Sequence, residues 1–340
     1  MKKILAAVLA LCLFAGALAA CAATAASPAA GSVSQAPAAQ SAAEAQSLSV
    51  VSTIFPYYDF ARAIAGSEEN LHMLLKPGSE SHSYEPSAAD ILTIQAADIF
   101  VYTGGHTDDW VDKILEAVDN PDLVVVRMMD YVSTMEEELV EGMQDEEHTH
   151  EEGEEEEEEH GLEERETDEH IWTSPINAIA LVNALCDAFA AKNAGGAEAY
   201  RQNAEAYTQQ LAALDGEFRT VVQNASSKLL VFGDRFPFRY FTEEYGLSYY
   251  AAFAGCSTDS NASAGTIAFL VDVVRSKSVP YIFKIELSSG SIAKTISEEA
   301  GCEVLLLESC HNVTPAQFAA GETYLSLMRQ NAETLKTALA

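Results

Sequence analysis

The chain has 340 residues, a formal charge of −33 at neutral pH and 48% apolar residues. That is enough for two medium domains or one large one with genuine cores. Charge this acidic argues against nucleic acid and anionic lipid surfaces as partners. It is also uneven: residues 136–169 hold 20 Asp/Glu and one Arg, a net of −19, leaving −14 for the rest. Such a block cannot pack and reads as a solvated loop.

From the N-terminus, Lys2 and Lys3 precede a short apolar run, Ile4–Leu18, which ends in Leu18-Ala19-Ala20-Cys21. The run is short for a membrane span, and its end resembles a bacterial lipobox, where cleavage leaves a lipidated cysteine. Residues 1–21 are therefore expected to be a lipoprotein signal peptide with Cys21 as the acylated residue. An ordinary signal peptide containing a cysteine is the alternative. Residues 22–47 are rich in Ala, Ser, Pro and Gln and read as a flexible tether. No later run is long enough to span a membrane, so the expected location is extracytoplasmic, with the N-terminal lipid as sole membrane attachment.

Beyond the tether, short β-rich runs alternate with helical patterns. The first group is Leu48–Ile54, Asn70–Leu75, Asp98–Thr103 and Leu123–Arg127; the second is Lys228–Phe232, Leu247–Phe253, Val279–Ile285 and Glu303–Leu307. Helical stretches include Ser87–Ala97, Trp110–Val118, Thr266–Arg275 and Ser291–Ala300. Strand–helix alternation predicts an α/β fold with parallel sheets. The groups lie about a hundred residues apart, too far for one continuous sheet, so two four-stranded lobes follow. Between them Ala197–Gln223 carries apolar residues at spacings of three and four, which predicts a long, rigid connector helix. The expected domains are an N-lobe over 48–193 with the loop 136–169, a connector over 197–225 and a C-lobe over 226–340.

Once Cys12 is cleaved away and Cys21 acylated, four cysteines remain. Cys186 has the helical spacing of a core thiol, and one disulfide is expected among Cys256, Cys302 and Cys310, with the pair left open.

In open α/β sheets ligands bind beyond the carboxyl ends of the strands. Metal-capable residues there are His82, His106, Asp234, Glu286, Glu308 and His311. His170 follows the acidic loop, just before a predicted helix. His148, His150 and His160 lie inside the loop. This clustering favours an imidazole-binding metal. The loop reads either as a solubilising insert or as a weak metal antenna, in which its carboxylates concentrate cations and the three histidines supply nitrogen.

Several longer motifs carry a resemblance. They are Thr53-Ile54-Phe55-Pro56-Tyr57-Tyr58-Asp59-Phe60-Ala61; Pro77-Gly78-Ser79-Glu80-Ser81-His82-Ser83-Tyr84-Glu85-Pro86; Asp168-Glu169-His170-Ile171-Trp172-Thr173-Ser174-Pro175; and Phe238-Arg239-Tyr240-Phe241 with Tyr245-Gly246-Leu247. From about Ser49 to the C-terminus the chain resembles the zinc/manganese solute-binding lipoproteins of ABC importers, to which the receptors ZnuA and AdcA belong. The resemblance implies two α/β lobes joined by one long helix, with His82 and His170 as metal ligands. It places the family's third ligand at Arg235, beside Asp234, and its fourth, a carboxylate, at Glu308. Arginine stays protonated and offers no lone pair. His311 is then the natural substitute, with Glu308 adding an oxygen or orienting the ring; Asp234 or Glu308 in the third position remains open. Asp234 and Glu286 are the expected partners for the Arg235 charge.

The expected function is capture of Zn²⁺, with Mn²⁺ the alternative cargo, and delivery to an ABC permease with its ATPase, by a monomer that is not an enzyme. Two other classes are weaker. A surface metallohydrolase would want a compact motif such as His-Glu-x-x-His, which does not occur. A cell-adhesion role would want repeats or a large apolar stripe.

Overall fold

The computed structural model describes residues 47–80, 84–143, 166–257 and 261–340. Cys21, the signal peptide and nearly all of the tether lie outside the described residues, as do His82, His148, His150 and His160.

The first sheet contains β1 (Val50–Ser52), β2 (Leu71–Met73), β3 (Ile99–Tyr102) and β4 (Val124–Arg127), all parallel, in the order β2-β1-β3-β4. The second contains β5 (Leu229–Phe236), β6 (Ser248–Ala254), β7 (Tyr281–Lys284) and β8 (Glu303–Leu306), also parallel, in the order β6-β5-β7-β8. The two-lobe α/β expectation holds, with the same strand order in each lobe. The central strands β1 and β3 are buried at every position. This is why they read as unbroken apolar runs rather than alternating ones.

Helices α1 (Phe55–Ala65), α2 (Ala88–Gln95) and α3 (Trp110–Ala117) belong to the first sheet. Next come α4 (Pro175–Lys192) and α5 (Ala197–Gln223), then α6 (Arg239–Tyr245), α7 (Ala264–Ser276) and α8 (Ser291–Ala300), and finally α9 (Pro315–Ala319) and α10 (Tyr324–Ala338). Local chemistry fixes several starts. Ser87 and Asp90 form a reciprocal capping box at α2, and Thr314 and Gln317 do the same at α9. At α4, Ser174 caps the Asn177 N–H and Pro175 takes the first turn, where its missing N–H costs nothing.

The connector α5 is 27 residues long and buries Tyr200, Ala204, Tyr207, Leu211, Leu214, Phe218 and Val222 along one face. It packs on α1 and α4 of the first lobe and on α6 and α10 beyond it. The Tyr207 hydroxyl donates to the buried Asp59 carboxylate at 3.0 Å, and Phe218 meets Phe241 edge-on at 4.8 Å. One apolar core runs through both lobes and this helix. The connector is therefore part of the core, not a free-standing rod.

In each sheet the chain leaves the first strand to one side and returns on the other. The switch crevices thus lie beyond β1 and β3 in one lobe and beyond β5 and β7 in the other. Strand β5 runs four residues past its expected end at Phe232, through a register shift before Arg235. The irregularity sits at Gly233, where a Cβ would lie 2.4 Å from the Ala293 backbone, so α8 can approach only a glycine. No helix among the described residues is long and apolar enough to cross a membrane.

Candidate metal centre

A cleft between the crevices is lined by Ser79, Glu80, His170, Arg235, Glu286 and His311, among others. It holds about 30 Å³ of space. That suits an ion or a water or two and is far too small for an organic substrate, which needs several hundred Å³.

His170 is buried, one residue before a 3₁₀ turn, Ile171–Thr173, that leads into α4. Its N–H donates to Asp168 Oδ1 at 2.8 Å, and its ring Nδ1 lies 3.2 Å from the same oxygen. With the Nδ1 proton directed at Asp168, Nε2 becomes the lone-pair nitrogen, the arrangement a metal-binding imidazole needs. Burial alone would lower the pKa of the ring. The carboxylates of Asp168, Glu169 and Glu137 outweigh it and leave the imidazole more basic than usual. Gly255 closes over this ring: a Cβ there would stand 3.1 Å from His170 Cε1 and Nδ1, and 2.9 Å from the Phe236 carbonyl.

The residues around His170 also carry the stem of the acidic loop. Glu136 bridges Thr167 in antiparallel fashion, and the Asp168 N–H donates to the Met135 carbonyl at 2.9 Å. Tyr240 of α6 clamps both strands, donating to the Asp168 carbonyl at 2.8 Å and accepting from the Met135 N–H at 3.0 Å. Glu137 accepts the Cys256 N–H at 2.7 Å. The C-lobe thus holds the loop base that presents His170.

His311 follows β8 in the Ser309–Asn312 turn. Its ring meets that of His170 at 5.6 Å between centroids, with planes at 82°, and packs edge-on to Trp172 at 4.9 Å. Asn312, the next residue, donates to the carbonyls of Lys76 and Ser79, both at 2.9 Å. The Gly78 N–H donates to the Val313 carbonyl at 2.8 Å. The N-lobe loop that leads into His82 is therefore clasped to the C-lobe turn that carries His311. His82 itself lies outside the described residues.

Glu308 is not brought to the cleft. It is buried with Oε1 on the Gln317 side-chain amide at 2.9 Å, while its backbone N–H and carbonyl bond the Asn331 side chain. Its carboxylate is drawn to Gln317 in the first turn of α9 rather than to the cleft. From the C-lobe, Glu286 lines the cleft, and its oxygens accept from the backbone N–H groups of Ser309 and His311. Burial first, and then the nearby Glu308 charge, push its carboxyl above the ordinary range.

Arg235 does not use its expected partners either. Its guanidinium crosses the cleft to Glu80, with Nη1 and Nη2 at 3.2 and 3.5 Å from the two carboxylate oxygens. Asp234 instead accepts the backbone N–H groups of Arg235 and Ile285, tying β5 to the end of β7. His106 is exposed against Asp109, away from the cleft. The expected disulfide is absent: Cys186, Cys256, Cys302 and Cys310 are free thiols. Cys310 is sealed in the shared core, whereas Cys302 packs against the separate apolar cluster of the second sheet.

Two α/β lobes meet at a cleft of ionic size, walled by imidazole and carboxylate. The family described as zinc-uptake complex component A, periplasmic (ZnuA), matches residues 50–338, and the chain belongs to that family. It is similar to the zinc-binding lipoprotein AdcA of Streptococcus pneumoniae serotype 4, with 34% identity over 289 residues, 85% of this chain and 55% of AdcA. The chain thus spans about half the length of that relative. It is also similar to the high-affinity zinc uptake system protein ZnuA of Bacillus subtilis, with 30% identity over 86% of this chain and 88% of the relative. Among solved structures, the Zn(II)-bound ZnuA-like domain of Streptococcus pneumoniae AdcA superposes with a TM-score of 0.68 at 31% identity, covering 86% of this chain and 98% of that one.

Proposed function

We propose that this protein captures one Zn²⁺ between its lobes and delivers it to an ABC import permease with its ATPase. It does so as a monomeric, extracytoplasmic lipoprotein anchored through Cys21, and makes or breaks no covalent bond. The observation that carries the reading is the approach of His170 and His311. Two imidazoles on one tetrahedral Zn²⁺, with Zn–N near 2.0 Å, put their ring centroids about 5 Å apart. The rings here stand at 5.6 Å. His82, on the clasped loop, supplies a third nitrogen in this reading, and solvent a fourth position. Glu308 serves the Gln317–Asn331 knot behind the site. The names of relatives, zinc-binding lipoprotein and zinc uptake protein, support the same cargo.

A nitrogen-rich set favours Zn²⁺ over Mn²⁺, which prefers carboxylate and water. Metal analysis of the chain lacking residues 1–21, followed by competition of Zn²⁺ against Mn²⁺, tests this. One tightly held Zn²⁺ that excess Mn²⁺ does not displace is the expected result; preference for Mn²⁺ would overturn it. The acidic loop with His148, His150 and His160 acts as the weak antenna. Deleting residues 144–165 keeps the Glu136–Thr167 stem and should remove weak sites while leaving the tight one.

A further inference from the structure

Two L-residues flanking the cleft adopt left-handed backbone: Leu287 with φ 58° and Cys310 with φ 60°. Neither is a residue that visits this region readily. Leu287 directly follows Glu286, and Cys310 separates Ser309 from His311. A left-handed residue between two others turns their N–H groups toward one point, a concavity suited to an anion. Here the anion is internal. Glu286 Oε2 accepts the Ser309 N–H at 2.6 Å, and Oε1 accepts the His311 N–H at 3.1 Å and the Ser309 hydroxyl.

We propose that Glu286 is the positioning residue of His311: its carboxylate fills the concavity of the Ser309–His311 turn, and so fixes the imidazole over the metal. The proposal rests on the reading of His311 as a ligand. Glu286 acts through the main chain, since three of its roughly four acceptor positions are occupied by these donors. The other edge of the turn is tied as well. Trp172 Nε1 donates to the Ser309 carbonyl at 2.8 Å, and the Phe55 N–H donates to the His311 carbonyl at 3.3 Å. Those two bonds hold the turn to the N-lobe. Glu286 is the charged acceptor on which the Ser309 and His311 N–H groups converge, the Ser309 hydroxyl being a second, neutral acceptor for the His311 N–H at 3.3 Å, so its loss removes the charge that holds the turn.

The test is a double-mutant cycle read by Zn²⁺ competition titration on the soluble chain: wild type, Glu286→Gln, His311→Ala and both together. Glu286→Gln keeps the size of the side chain but sets an amide donor against N–H donors. It should weaken Zn²⁺ binding about tenfold in the wild-type background and by less than about twofold beside His311→Ala. Equal losses in both backgrounds, or none in the wild type, would overturn the proposal. A His311→Ala variant that binds normally would instead overturn the ligand reading beneath it. Cys310→Gly supplies a rescue, because glycine adopts the left-handed turn unaided. Added to Glu286→Gln, it should recover part of the lost affinity, whereas a carboxylate needed only for folding would be helped by no such change. If Glu286→Gln does not fold, Glu286→Asp takes its place in the cycle with the same expected non-additivity.

Discussion

The two lobes share one strand order, yet they hold their histidines in opposite ways. His170 is backed through its ring: Asp168 contacts Nδ1, so the carboxylate sets tautomer and basicity. His311 is backed through its main chain: Glu286 contacts the N–H of the residue and leaves the ring to Trp172 and His170. The first contact bears on the chemistry of the ring, and the second on the main chain of the turn. A carboxylate beside a histidine therefore says little until the atom it touches is known.

That contrast can be broken by substitution. His170→Ala should cost the most, on the order of a hundredfold in Zn²⁺ affinity, because it removes the buried imidazole proposed as a ligand and leaves Asp168, Glu169 and Glu137 without their cationic neighbour. Isothermal competition would read it; a loss below threefold would place the metal elsewhere. His311→Ala and His82→Ala should each cost about tenfold or more, and by similar amounts. A His82→Ala variant with wild-type affinity would remove the clasped loop from the site.

Asp168→Asn should weaken binding about tenfold and also change its pH dependence. The sign follows from the ring. The folded His170 pKa is raised, so in the metal-free protein its ion pair with Asp168 stabilises fully below the ordinary histidine value and is lost as pH rises through the raised one. Metal needs the neutral ring, so Zn²⁺ affinity should fall as pH drops through that raised value. Asp168→Asn should move the fall to lower pH. Titrations from pH 8 to 5.5 check this; a flat wild-type profile would contradict a histidine site.

The smallest expected effect is at Arg235. Its pair with Glu80 bridges the lobes, but Glu80 is about half exposed, and such pairs contribute roughly 0–1 kcal/mol. Arg235→Ala should change affinity by less than about threefold. A larger loss in the same titration would make the pair part of the centre.

The fold was largely legible in the sequence, because its signals are local. The connector Ala197–Gln223 and α8 at Ser291–Ala300 begin and end where apolar spacing and glycine punctuation put them. Strand β5 was read four residues short, since its continuation depends on a bulge packed under α8. The placement of His311 beyond a strand end, and of His170 between the acidic loop and a helix, was legible for the same reason. What was hidden is long-range. Arg235 meets a carboxylate 155 positions away in the other lobe. Glu308 and Glu286 stand at matching positions past β8 and β7, yet one bonds Gln317 and the other the Ser309–His311 turn. The Ser309–His311 turn depends on left-handed Cys310 and Leu287, residues whose types announce no turn.

X-ray absorption at the zinc edge of the loaded wild-type protein tests the central claim most directly, because multiple scattering counts imidazoles on the ion. The proposed function predicts three imidazole ligands with Zn–N near 2.0 Å, falling to two in His311→Ala. A wild-type shell of oxygen with one imidazole or none, or one that His311→Ala leaves unchanged, would contradict it.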